Sequence, residues 1–263
     1  METTTKEPRE SQMKHRKIIN FVNEQCPSPK KVFHHELYRH ECVSFLPTND
    51  CIGIELGVAA GHFSLRMVQS GKFRKFYGVD LYEDHHDTHE YKSAIKSVGL
   101  DSNYTLLRMS FDEAIELFDD NYFDFIYFDG YAHTGEEGGR TFADWYKKLK
   151  VGGMFAGDDY HDDWPLVKWA VNDMATKIGC EINVTGKNEN TIFNEYPTWF
   201  FTKKAELDFA PNEKLKQIGA EIREKTRQTN GKQLKITKQN LIQIVQKIKV
   251  EDPIFAQQIK ALI

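Results

Sequence analysis

From about residue 51 onward, short apolar runs alternate with stretches of helical periodicity. Residues 51–56, 73–79, 104–109, 123–128 and 151–156 are runs of the length and composition of buried strands. Helices are predicted over 62–69, 87–98 and 139–149, with a short one through Ala114 and Leu117. In the next helix Val167, Ala170, Val171, Met174 and Ile178 recur on one face, and Gly179 ends it. Residues 181–184 and 198–202 supply two closing strands with no helix between them, separated by a polar loop and Pro197. Strand–helix alternation predicts an α/β fold: a doubly wound, mostly parallel, seven-stranded sheet with an antiparallel edge hairpin. Ahead of it, residues 1–50 read as a helical head (Ile18, Ile19, Phe21, Val22) stopped by Pro27 and Pro29. An irregular stretch with His34, His35 and His40 follows, a candidate lid. The body is expected over 51–203.

Residues 213–263 differ in kind. They carry 11 Lys+Arg against 5 Asp+Glu, so the whole chain's charge of −4 hides a tail at +6 and a remainder at −10. Apolar stripes (Leu241, Ile244, Val245, Ile248, then Phe255, Ile259, Leu262) mark a helical appendage that must bury a face, with a homo-oligomer the ordinary expectation. The whole composition, 40% hydrophobic and 28% charged over 263 residues, is that of a globular protein. No apolar run reaches the roughly 20 residues of a membrane helix. The first residues lack the apolar segment of a secretory signal. Four cysteines without a CxxC pair suit a reducing compartment, so a cytoplasmic location is expected.

In a parallel sheet, ligands gather at the carboxyl ends of the strands, so residues just after each strand are the candidates for chemistry. The first body strand ends Glu55-Leu-Gly57-Val-Ala-Ala-Gly61, where glycines permit a tight turn and close backbone approach. The second ends at Asp80, a carboxylate able to accept from both ribose hydroxyls of an adenosine, or to serve as a helix cap. The fourth ends Asp129-Gly130 and the fifth Gly157-Asp158-Asp159-Tyr160. Three carboxylates at one edge repel unless a cation lies among them, which raises a divalent ion held by oxygen ligands.

Together these motifs, with Leu149-x-x-Gly152-Gly153, resemble the class I S-adenosylmethionine-dependent methyltransferases over about 150 residues. Within them the chain resembles the metal-dependent small-molecule and sugar O-methyltransferases. That resemblance implies S-adenosyl-L-methionine as cofactor, with Glu55, Gly57, Ala59, Gly61 and Ser64 lining its methionine half. Asp80 would hold the ribose, and Ser110 and Phe111 would border the adenine. Asp129, Asp158 and Asp159 would ligate a divalent metal, Mg²⁺ by preference. His133, one residue later than in the family's Asp-Gly-x-His, would be the base, with Asp129 beside it in the catalytic set. The acceptor would be a small-molecule hydroxyl, a sugar or catechol-like diol whose two oxygens a metal could chelate.

Other features carry less. His85, His86 and His89 are read as a solvated loop, with cleft lining or a zinc site as alternatives, and Trp164 as a packing residue or an acceptor wall. A nucleic-acid or protein methyltransferase using the basic tail is an alternative reading, although no recognised RNA-binding motif and only one aromatic, Phe255, occur there. A non-catalytic methyltransferase-like scaffold is the other alternative.

Overall fold

The computed structural model describes residues 20, 23–83, 88–130, 137–187 and 196–221. The chain divides into two compact units, 1–219 and 220–263. The second lies outside the described residues apart from 220 and 221, and with it the expected assembly stripes.

Among the described residues the first unit holds eight strands: β1 (Lys31–Tyr38), β2 (Cys51–Leu56), β3 (Phe73–Asp80), β4 (Tyr104–Arg108), β5 (Phe123–Phe128), β6 (Leu149–Gly157), β7 (Ile182–Lys187) and β8 (Trp199–Thr202). Their order across the sheet is β1-β7-β8-β6-β5-β2-β3-β4. Only β8 runs antiparallel to its neighbours, β6 and β7. The doubly wound sheet is the expected one, with two differences in detail. The closing hairpin is not the edge, because β8 slots between β6 and β7. The edge is β1, formed by residues 31–38 of the head, which pair in parallel with β7 where irregular chain was expected. Its mixed composition (KVFHHELY) hid it, since an edge strand with wet positions shows no continuous apolar run.

Central strands explain why the sequence reads so clearly. Every residue of β2 is buried, as are five of six in β5, because helices cover both faces of the sheet. The helices between the strands are α1 (His62–Gln69), α2 (Thr88–Ala94, continued by a π turn to Gly99), α3 (Phe111–Ala114), α4 (Arg140–Lys148) and α5 (Pro165–Ile178). Helix α5 shows its punctuation plainly: Pro165 occupies the first turn, and Gly179 in the left-handed region closes the end.

Register fixes where the chemistry can be. Leu56 lies opposite Val79 and Phe128, and Phe128 opposite Gly157. Residues 57, 80, 129 and 158 therefore leave the sheet at one edge, beside the point where strand order reverses between β2 and β5. Strand β1 runs parallel to β7 and hence ends at this same edge. A 3-10 turn, Arg39–Phe45, then buries Cys42 and Val43 against Phe63, Met67, Tyr127 and Ala156.

Candidate active site

The turn after β2 is shaped by positive φ angles at Gly57 (102°), Ala59 (46°) and Gly61 (82°). A Cβ on Gly57 would lie 1.9 Å from the carbonyl oxygen of Asp129, so the turn and the end of β5 pack backbone against backbone. Gly61 starts α1, and a Cβ there would come 3.1 Å from the Cα of Ala94 in α2. Glu55, 1% exposed, accepts a hydrogen bond from the hydroxyl of Ser64 on α1, and that hydroxyl lies 2.9 Å from the Tyr104 hydroxyl. Burial pushes the Glu55 carboxyl well above the ordinary carboxylate range, with Ser64 pulling the other way.

Asp80 is buried at the end of β3. Its Oδ2 accepts from the backbone N–H groups of Val58 and Ala59, both at 2.9 Å, and its Oδ1 from that of Tyr82 at 3.1 Å. It thus ties two strand-end loops together, and these three bonds leave one of its four lone-pair positions for a ligand hydroxyl. Tyr82, at φ 53°, donates its hydroxyl to the carbonyl of Ala59 at 2.8 Å. Ser110 is the N-cap of α3: its hydroxyl accepts from the Glu113 N–H at 3.2 Å, and the Glu113 carboxylate accepts from the Ser110 N–H at 2.9 Å. The Phe111 ring is buried against Gly130, where a Cβ would meet its edge at 2.8 Å. Glu55, Gly57, Ala59, Gly61, Asp80, Ser110 and Phe111 therefore stand at or close after the carboxyl ends of β2, β3 and β4, and Ser64 in the first turn of α1 is tied back to Glu55.

At the acidic edge the structure departs from expectation. Nη1 of Arg39 lies 2.8 Å from Oδ2 of Asp158, and Nη2 lies 2.7 Å from Oδ2 of Asp129. Arg39 is 6% exposed, and its guanidinium sits 4.9 Å and 5.5 Å from the ring centroids of Phe63 and Tyr127. Burial works to lower the Arg39 pKa, but Asp158, Tyr127 and Asp129 outweigh it and hold the guanidinium well above its ordinary value. Burial pushes Asp158 upward while Arg39 opposes that shift. The inference that a cation must lie among these carboxylates holds, but the cation is a side chain. Asp129, Asp158 and Asp159 do not fit a divalent centre: two of the three carboxylates already hold a guanidinium, and a second cation there would meet its charge. Among the described residues no group of three or more His, Cys, Asp or Glu side chains forms a metal-holding cluster. Arg39 escaped the sequence reading because it stands 90 residues from Asp129 in a segment with no strand signature.

Of the remaining candidates, His133, His85 and His86 lie outside the described residues. His89 is exposed near the start of α2. His34 and His35 are in edge strand β1, where His34 Nε2 is 2.9 Å from Oδ1 of Asn183, and His35 stacks near Phe33. Trp164 is 40% exposed ahead of α5 and meets Tyr196 edge to face.

No described helix is long and apolar enough to cross a membrane. No curated protein sequence matches the chain. Among solved structures, the chain is similar to spermidine synthase from Thermotoga maritima at 17% identity, covering 70% of this chain and 71% of that one, with a TM-score of 0.49. It is also similar to an S-adenosylmethionine-dependent methyltransferase from Mesorhizobium loti at 23% identity, covering 44% of this chain and 50% of that one, with a TM-score of 0.35. The chain thus spans half the length of the Mesorhizobium protein. The family profile described as a methyltransferase domain matches residues 54–160, from within β2 to just past β6. Over residues 54–160 the chain is therefore similar to a methyltransferase domain.

Proposed function

We propose that this enzyme methylates a hydroxyl of a small molecule, a sugar or glycoconjugate, with Asp129 receiving the hydroxyl proton. One observation supports that reading above the others. The Asp129 side chain, 31% exposed, is the open carboxylate at the edge, and its backbone packs directly on the Gly57 turn. One of its oxygens is held by Arg39, which leaves Oδ1 to face an acceptor.

The residues present fit the donor: a tight glycine turn for close backbone approach, a carboxyl at Glu55 for an amino group, and a free acceptor position on Asp80 for a ribose hydroxyl. Ser110 and Phe111 border the adenine in this reading. When bound, the donor supplies an electrophilic methyl on a sulfonium. The chain's own work is then alignment and proton removal. Alignment of two reactants accounts for as much as about 7–11 kcal/mol in the best intramolecular analogues, and a positioned base for about 10²–10⁴-fold. Metal assistance is no part of this reading, because Arg39 already neutralises the carboxylates that would carry it.

The test has two parts. Calorimetric titration of the full chain with S-adenosylmethionine examines the donor, and a panel of sugar and catechol acceptors examines the hydroxyl. Asp129→Asn should keep donor binding and lose methyl transfer. If Asp129→Asn turns over normally while His133→Ala does not, the proton goes to His133 instead.

A further inference from the structure

We propose that Arg39 permanently takes the place of a divalent cation at the strand ends, so that the head of the chain, outside the 54–160 domain, completes the cleft as a positioning element. Arg39 would hold this place whichever acceptor is methylated.

Guanidinium geometry makes the case first. Two different terminal nitrogens reach two different carboxylates, Asp129 on the strand β5 side and Asp158 after β6, at 2.7 Å and 2.8 Å. A single planar fork spans the gap between neighbouring strand ends, as a bridging ion would. The surroundings suit a guanidinium too. Phe63 and Tyr127 present ring faces to it, and this weakly hydrated, delocalised cation tolerates such walls where a strongly hydrated divalent ion does not. Oxygens at ion-pairing distance from Arg39 cannot also come within roughly 2.0–2.6 Å of a divalent ion without setting two cations against each other.

Access decides whether the arginine could step aside. Arg39 follows β1 directly, and β1 is pinned by its parallel pairing with β7. The turn that carries Arg39 is fastened as well: the Glu41 carboxylate accepts from the Tyr38 N–H at 2.8 Å, and Cys42 and Val43 are buried in the core. Releasing the guanidinium would leave it and Asp158, both buried, without each other's charge. The cation position is therefore filled by covalent structure and not by exchange with solution. A positioning role follows: Arg39 holds Asp129 by one oxygen and fixes where its other oxygen points.

The experiment uses Mn²⁺ alone as probe, followed by electron paramagnetic resonance of the full chain, beside wild type, Arg39→Met, Arg39→Lys, Asp158→Asn and the double variant R39M/D158N. Wild type should take up no Mn²⁺ that D158N removes. Arg39→Met exposes an uncompensated acidic pair and should bind Mn²⁺ at least about tenfold more tightly than wild type, a gain abolished in the double variant. Arg39→Lys, which keeps a cation, should restore the wild-type response, and a purely structural role for the arginine would not produce that rescue. Stoichiometric uptake by wild type that D158N abolishes overturns the proposal, as does a folded Arg39→Met with no gain. If circular dichroism shows Arg39→Met unfolded, the comparison of wild type with D158N decides alone. Loss of S-adenosylmethionine binding in wild type would instead count against the methyltransferase reading and leave this one standing.

Discussion

The hydroxyl of Ser64 donates to the carboxyl of Glu55 in the interior between α1 and β2, and neither group reaches solvent. Burial holds the Glu55 carboxyl well above its ordinary range, so the fold prefers the protonated acid. A group of that kind stabilises the protein fully below its unfolded value of about 4.3 and loses the contribution as pH rises through the higher folded value. Denaturant titrations across pH should show this slope in the native chain, and Glu55→Gln, a neutral mimic, should flatten it. A cationic donor placed at Glu55 favours the carboxylate, so donor binding should release a proton. Calorimetry in buffers of different ionisation enthalpy reads that release, and a buffer-independent enthalpy would remove Glu55 from the donor site.

Gly57→Ala should be among the most damaging small substitutions available. Its φ of 102° is outside the range of other residues, and the new Cβ would sit 1.9 Å from the Asp129 carbonyl oxygen. The strain and the clash together should cost about 2 kcal/mol or more. Thermal unfolding should show the loss, and donor affinity should fall with it because the turn is displaced. Gly71→Ala is the useful contrast: φ is positive there as well (69°), but no atom lies within 4 Å of the added Cβ. It should cost only the backbone strain, at the lower end of about 1–3 kcal/mol.

Asp80 carries three backbone hydrogen bonds, from Val58, Ala59 and Tyr82. Asp80→Asn keeps an oxygen for one side but turns an NH₂ toward an N–H on the other. It should destabilise by about 1–3 kcal/mol, the cost of a buried donor left unpaired. Donor affinity should weaken beyond what lost stability explains, which is measured at a temperature where the variant is fully folded. Unchanged affinity in folded Asp80→Asn would take the ribose contact away from this residue.

Lys203 tests the fold separately from the chemistry. Fully buried, its Nζ donates to the carbonyls of Tyr146 at 2.9 Å and Leu149 at 2.6 Å at the end of α4, and pairs with Glu206 at 2.8 Å. It satisfies carbonyls that a helix end leaves open. Lys203→Met should cost about 2–4 kcal/mol in chemical denaturation, while donor affinity of the folded fraction stays at the wild-type level.

Local pattern alone carried most of the fold. Strands β2, β3, β5 and β6 announce themselves because both faces of a parallel sheet are covered, so Cys51–Leu56 and Phe123–Phe128 must be apolar almost throughout. The candidate site was legible for the same reason: in a doubly wound sheet the residue after a strand faces the cleft. Gly57, Asp80 and Asp129 could therefore be placed by counting from strand ends. Strand β1 was not legible, because none of its positions is fully buried and its pairing partner β7 lies about 150 residues further on.

The sequence by itself determined that carboxylates would crowd one edge of the sheet, and electrostatics then raised a cation among them as an expectation. Which cation it is, only the tertiary structure decided. Charge pairing across 90 residues leaves no periodicity to read, and Arg39 differs in no local way from the chain's other arginines. The pairing of β1 with β7 brings Arg39 to the ends of β5 and β6, and burial beside Phe63 and Tyr127 makes its two ion pairs strong enough to stand where a metal was expected.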